Sequence, residues 1–81
     1  MQIEHAQYRI NGHQLRIERT GHNLVDLVTQ QDGLDCYGEL NLADTDAVWA
    51  CVRHMFKEFN GYEGTEGDVT PIYNAIMAFA G

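Results

Sequence analysis

The dipeptide Asn11-Gly12 constrains this chain more than any other pair of residues in it. A two-residue hairpin loop of type I′ needs positive φ at both central positions, and Asn-Gly accepts that at both. With the turn fixed there, Ile10 faces His13, Tyr8 faces Leu15, Ala6 faces Ile17 and Glu4 faces Arg19. One face of the pair then carries Ile10, Tyr8, Ala6, Leu15 and Ile17, and the other carries Arg9, Gln7, His5, Gln14, Arg16 and Glu18. Turn chemistry and alternation agree, so register and buried face are specified together.

Asp32-Gly33 repeats the signal. A two-residue loop there sets Gln31 opposite Leu34, Thr29 opposite Cys36, Leu27 opposite Gly38 and Val25 opposite Leu40. Val25, Leu27, Leu34, Cys36, Leu40 and Leu42 fall on an apolar face, while Asp26, Val28, Gln30, Asp35, Tyr37 and Glu39 fall on the other. Thr20-Gly21-His22-Asn23 has the composition of a connecting loop. Four strands are expected, over 3–10, 13–20, 24–30 and 34–42.

The period then changes to that of a helix. After Asp44, a candidate N-cap, Val48, Cys51, Val52, Met55 and Phe59 recur along one helical stripe, flanked by Trp49 and Phe56. Asp44 and Asp46 suit the positive end of the helix dipole, and Asn60-Gly61 supplies the stop. Arg53, His54, Lys57 and Glu58 occupy the wet side. The stretch 62–69, with the glycines Gly64 and Gly67 and the acids Glu63, Glu66 and Asp68, reads as a loop. Thr70-Pro71 then reads as N-cap and first helical position of a second helix. From Ile72 to Ala80 only Asn74 is plainly polar, so this helix needs cover on more than one side. The expected architecture is a single α+β domain over 1–81: a four-stranded antiparallel meander of two hairpins with two C-terminal helices packed on one face, ββββαα.

Charge narrows the function. Five Lys+Arg against twelve Asp+Glu give a net charge of −7, and Lys57 is the one lysine. No basic stripe exists, which argues against direct binding of nucleic acid. A negative domain suits basic partners, nucleic-acid-binding proteins among them, although acidity also serves solubility alone. No segment approaches the ~20 apolar residues of a membrane span, and Met1-Gln2-Ile3-Glu4-His5 has neither a basic nor an apolar leader region, so a cytoplasmic setting is expected.

Catalytic and cofactor motifs are missing from the sequence. There is no serine, no phosphate-binding glycine loop, no HExxH and no CxxC, so no enzyme activity, cofactor or metal is expected. Cys36 and Cys51 both fall on inward positions and read as buried, reduced thiols. His5, His13, His22 and His54 are scattered; His13 and His22 could meet at one end of the sheet, but no carboxylate or cysteine stands at ligand spacing beside them. Glu63, Glu66 and Asp68 do not follow the order of a calcium loop.

One local conflict stands out. The second hairpin sets Asp26 directly opposite Glu39 on the uncovered face, with Asp35 and Tyr37 close by. Like charges facing across strands destabilise a sheet, so the pair is either a tolerated clash on a solvated face or a binding feature. As a binding feature it suits arginine on a partner surface, since carboxylates take guanidinium groups bidentately. The expectation is a small acidic protein-binding regulator or inhibitor that occludes a basic, nucleic-acid-binding surface through Asp26, Asp35, Tyr37, Glu39, Glu63, Glu66 and Asp68. Small size, acidity and the missing catalytic set also fit the general description of phage-encoded inhibitors such as anti-CRISPR proteins, at the level of class and not of motif. The alternative is a homo-oligomeric accessory domain, joined as a homodimer through a sheet edge or through Tyr73, Met77 and Ala80 of the last helix.

Overall fold

Asn11 and Gly12 adopt φ of 49° and 81°, and the hairpin they close joins β1 (His5–Ile10) to β2 (His13–Gly21). The computed structural model describes residues 3–31, 34–35 and 38–80, with 30–31 and 34–35 described by their backbone alone. The register of the first hairpin is the expected one, from Ile10↔His13 through Tyr8↔Leu15 and Ala6↔Ile17 to His5↔Glu18.

The connection from β2 to β3 (Leu24–Gln31) is tighter than a four-residue loop. Gly21 pairs with Leu24, leaving His22 and Asn23 as the turn, and Asn23 takes a φ of 55°. Asparagine tolerates that region better than most residues. The register shifts between Arg19 and Gly21, so Thr20 is the extra residue of a bulge that sharpens the strand's twist.

The fourth strand is present as two short segments, β4 (Leu34–Asp35) and β5 (Glu39–Asn41). Both run antiparallel to β3 in one continuous register: Gln31↔Leu34 and Gln30↔Asp35, then Asp26↔Glu39, Val25↔Leu40 and Leu24↔Asn41. Leu27 also donates its N–H to the Gly38 carbonyl at 3.2 Å. The expected Asp32-Gly33 turn and the Thr29–Cys36 pair involve residues outside those described. The order across the sheet follows the chain, so four antiparallel strand positions precede two helices, an α+β fold.

α1 (Thr45–Asn60) starts and stops where its caps dictate. Asp44 Oδ1 accepts the Ala47 N–H at 3.1 Å, and Gly61, at φ 79°, donates its N–H to the Lys57 carbonyl. α2 (Glu66–Met77) starts earlier than the sequence suggests. Thr65, not Thr70, is the N-cap: its hydroxyl accepts the Asp68 N–H at 3.3 Å, and Asp68 accepts the Thr65 N–H at 3.0 Å. That reciprocal pair satisfies two orphan donors at once. Pro71 therefore sits inside the helix, Thr70 bonds back to the Glu66 carbonyl, and the second half of the expected loop 62–69 is the helix's first turn. No described helix is long and apolar enough to cross a membrane.

Both helices cover one face of the sheet. Leu15, Ile17, Val25 and Leu27 from the strands, Val48, Val52, Met55, Phe56 and Phe59 from α1, and Val69, Ile72, Ile76 and Phe79 form one buried cluster. Tyr73 and Met77 are half-buried against it, so the last helix is absorbed into the core instead of leaving an apolar patch. Trp49 meets Tyr73 edge-on at 5.3 Å, joining α1 to α2. A Cβ on Gly64 would fall 2.7 Å from the Phe56 ring, so the link between the helices needs glycine there to lie flat on α1.

Two polar clamps tie sheet to helices. Asn11 Nδ2 donates to the Phe59 carbonyl at 3.0 Å while His13 stacks on the Phe59 ring at 4.9 Å. At the opposite end of β2, Arg19 donates from Nε to the Ile3 carbonyl and from Nη2 to the Phe79 carbonyl. His13 and His22 thus stand at opposite ends of β2 and cannot share a ligand.

Candidate protein-binding face

Among the described residues, the face of the sheet turned away from the helices is mainly polar. Because the β2–β3 register continues that of both hairpins, His5, Glu18, Asp26 and Glu39 line up as one row across β1, β2, β3 and β5. The Asp26–Glu39 pair is the one expected from strand alternation; Glu18 joins it only through the register that the bulge at Thr20 sets. Beside this row lie Gln7, Arg16 and Val28.

Hydrogen-bond parity sharpens the conflict between the carboxylates. Leu27 N bonds Gly38 O, and Leu42 N bonds Asn23 O, so odd-numbered residues of β3 face the last strand in bonded pairs. Asp26 and Glu39 therefore form a non-hydrogen-bonded pair, the kind in which Cα atoms approach to about 4.5 Å and side chains lie closest. Like charges in that arrangement cost about 0.2–1 kcal/mol.

The surroundings relieve the two ends of the row and leave its middle alone. Arg16 donates from Nε and Nη2 to Glu18 Oε1, at 3.1 and 2.9 Å, and Thr20 Oγ1 donates to Glu39 Oε2 at 3.0 Å. Asp26, half-buried between them, has no hydrogen-bond or ion-pair partner among the described residues. A shallow hollow of about 280 Å³ beside the row is lined by His5, Ala6, Gln7, Arg16 and Glu18. The row thus offers one carboxylate without a partner among the described residues, Asp26, beside Glu39, whose one described partner is the neutral Thr20 hydroxyl, and so presents acceptors to a guanidinium or ammonium group.

The remaining expected contact residues divide. Asp35 is described by backbone alone, opposite Gln30, and Tyr37 lies outside the described residues. Glu63 is exposed in the link between the helices, beside Ala50, Arg53, His54 and Lys57. Glu66 lines a second hollow with Trp49 and Arg53, and Asp68 is engaged in the α2 capping box. These three belong to the helix layer, on the other side of the domain from Asp26 and Glu39. Among the described residues, the expected contact residues do not form one continuous acidic surface.

Among the described residues, no group of three or more His, Cys, Asp or Glu side chains is placed to hold a metal ion. Cys51 is half-buried and unbridged, and burial pushes its thiol pKa up; Cys36 lies outside the described residues. Compared with known protein families, curated proteins and solved structures, the chain gives no match.

Proposed function

We propose that this protein is a binding protein whose uncovered sheet face engages a basic surface on another protein, regulating or inhibiting it. The observation that carries this reading is Asp26, held without a partner among the described residues between Glu18 and Glu39, with Glu39 at the closest cross-strand spacing. The arrangement costs the free domain stability that a neutral residue at Asp26 would restore. A partner arginine would convert the repulsion into charge-assisted hydrogen bonds, so the energy lost in the free domain is recovered in the complex. Proteins that handle nucleic acid are the richest source of such arginine surfaces, and covering one would block its ligand. That is the mode of action of small acidic inhibitors of the anti-CRISPR kind, to which the likeness is one of class. A net charge of −7 also steers the encounter with a basic target.

The test is affinity capture from host lysate at low and raised salt, comparing wild type with Asp26→Lys/Glu39→Lys. A stoichiometric basic protein is expected, weakened by salt and lost in the variant. Purified, that protein should lose nucleic-acid binding when the wild-type domain is added. Equal capture by the variant would remove this face from the binding reaction.

A further inference from the structure

Strand β1 is the edge of the sheet, and nothing in the described structure lies beside it. Its hydrogen-bonding parity is fixed by two facts. Ile10 and His13 flank a two-residue turn, and Arg19 N bonds Glu4 O at 2.8 Å. Glu4, Ala6, Tyr8 and Ile10 thus spend their backbone groups on β2, while the N–H and C=O of His5, Gln7 and Arg9 point outward from the edge. Natural edges are usually blunted by proline, lysine, a bulge or a covering element. β1 has six residues with no proline, no lysine and no glycine, and its pairing with β2 shows no register shift.

We propose that β1 pairs antiparallel with β1 of a second copy, joining two domains into one continuous sheet. The strand is self-complementary for this. Centred on Gln7, the two-fold pairing sets Gln7 opposite Gln7 and His5 opposite Arg9, and every outward-pointing group of these residues finds a partner. An axis normal to the sheet keeps both helix layers on one side and both uncovered faces on the other, so no side chain changes environment. Half-buried Ala6 and Tyr8 of each copy then continue the apolar face beneath the helices.

Charge singles out this edge and this occupant. In a chain of net charge −7, β1 carries no carboxylate, whereas the opposite edge carries Asp35 and Glu39. Two acidic copies therefore meet with least repulsion along β1. Their acidic rows end up on the two flanks of the joined sheet, facing the same way.

Proline at Gln7 separates the edge from the hairpin. The Gln7 N–H makes no bond to β2, so Gln7→Pro removes only the outward donor, at a position where edge strands tolerate proline. In sedimentation equilibrium the wild type should approach twice its 9.2 kDa chain mass as concentration rises, and more readily at raised salt. Gln7→Pro should remain at single-chain mass with an unchanged circular dichroism spectrum. Amide exchange in the wild type gives a check that needs no variant: Gln7 should become protected as concentration rises, while Tyr8 is protected throughout. A wild type of single-chain mass at every concentration, a Gln7→Pro variant that still associates, or a Gln7 amide indifferent to concentration would each overturn the proposal. None of these outcomes bears on Asp26 and Glu39, so this test and that of the proposed function fail separately.

Discussion

The two faces of this sheet are built from the same strands and obey opposite rules. On the covered face Leu15, Ile17, Val25 and Leu27 are at most 1% exposed, and each neighbour agrees with the next. On the uncovered face three carboxylates stand in a row and two of them are opposed at the shortest cross-strand distance. Both faces come from one alternation, so the pleat cannot explain the difference. The covered face is mainly apolar and closely packed, and its own unfavourable choices are the Thr29 hydroxyl and Arg19 Nη1, buried without a hydrogen-bond partner among the described residues. The other keeps a locally unfavourable choice, which is what the proposed binding role rests on.

The largest effect should come from breaking the covered face. Leu27→Ala should cost about 2–5 kcal/mol in denaturant unfolding, because it removes buried atoms and leaves a cavity. Arg19 tests the one cation turned toward that side. Arg19→Leu strips donors from the carbonyls of Ile3 and Phe79 and should cost about 1–3 kcal/mol, read from the same unfolding curves. The helix layer that covers the core is tested next. Thr65→Ala should cost about 1 kcal/mol through loss of the N-cap, and Thr70→Ala should cost less. Equal losses would contradict the early start of α2.

Cys51 gives a smaller, pH-dependent signature. Burial raises its pKa, so on raising the pH the unfolded chain gives up the thiol proton first. The folded state then holds more protons, and stability should fall as pH rises from the ordinary thiol value of about 8.5 toward the raised one. Unfolding measured from neutral to alkaline pH should show this fall in wild type and not in Cys51→Ala.

What the sequence made legible follows where local chemistry was strong. Asn11-Gly12 fixed the first register, and Asp44 and Gly61 bounded α1, because each feature acts within a few residues. The start of α2 was misread because Pro71 usually marks a first turn, and the capping pair Thr65–Asp68 outweighed it. That error carried Glu66 and Asp68 into the loop, whereas both lie in the first turn of α2 and only Glu63 stays in the link. In the candidate face, Asp26 and Glu39 were readable from one turn. Glu18 was not, since its place depends on a bulge at Thr20 that no short-range signal announces. Arg19 was equally hidden: its partners, Ile3 and Phe79, lie 16 and 60 residues away.

The most direct test of the difference between the faces is a single substitution read two ways. Asp26→Asn keeps shape and removes one charge from the row. The variant should unfold at higher denaturant, stabilised by about 0.2–1 kcal/mol, with a gain that shrinks as salt is raised. It should also bind the captured basic partner more weakly than wild type. A variant no more stable than wild type, or one that binds the partner equally well, would mean that the uncovered face is ordinary solvated surface.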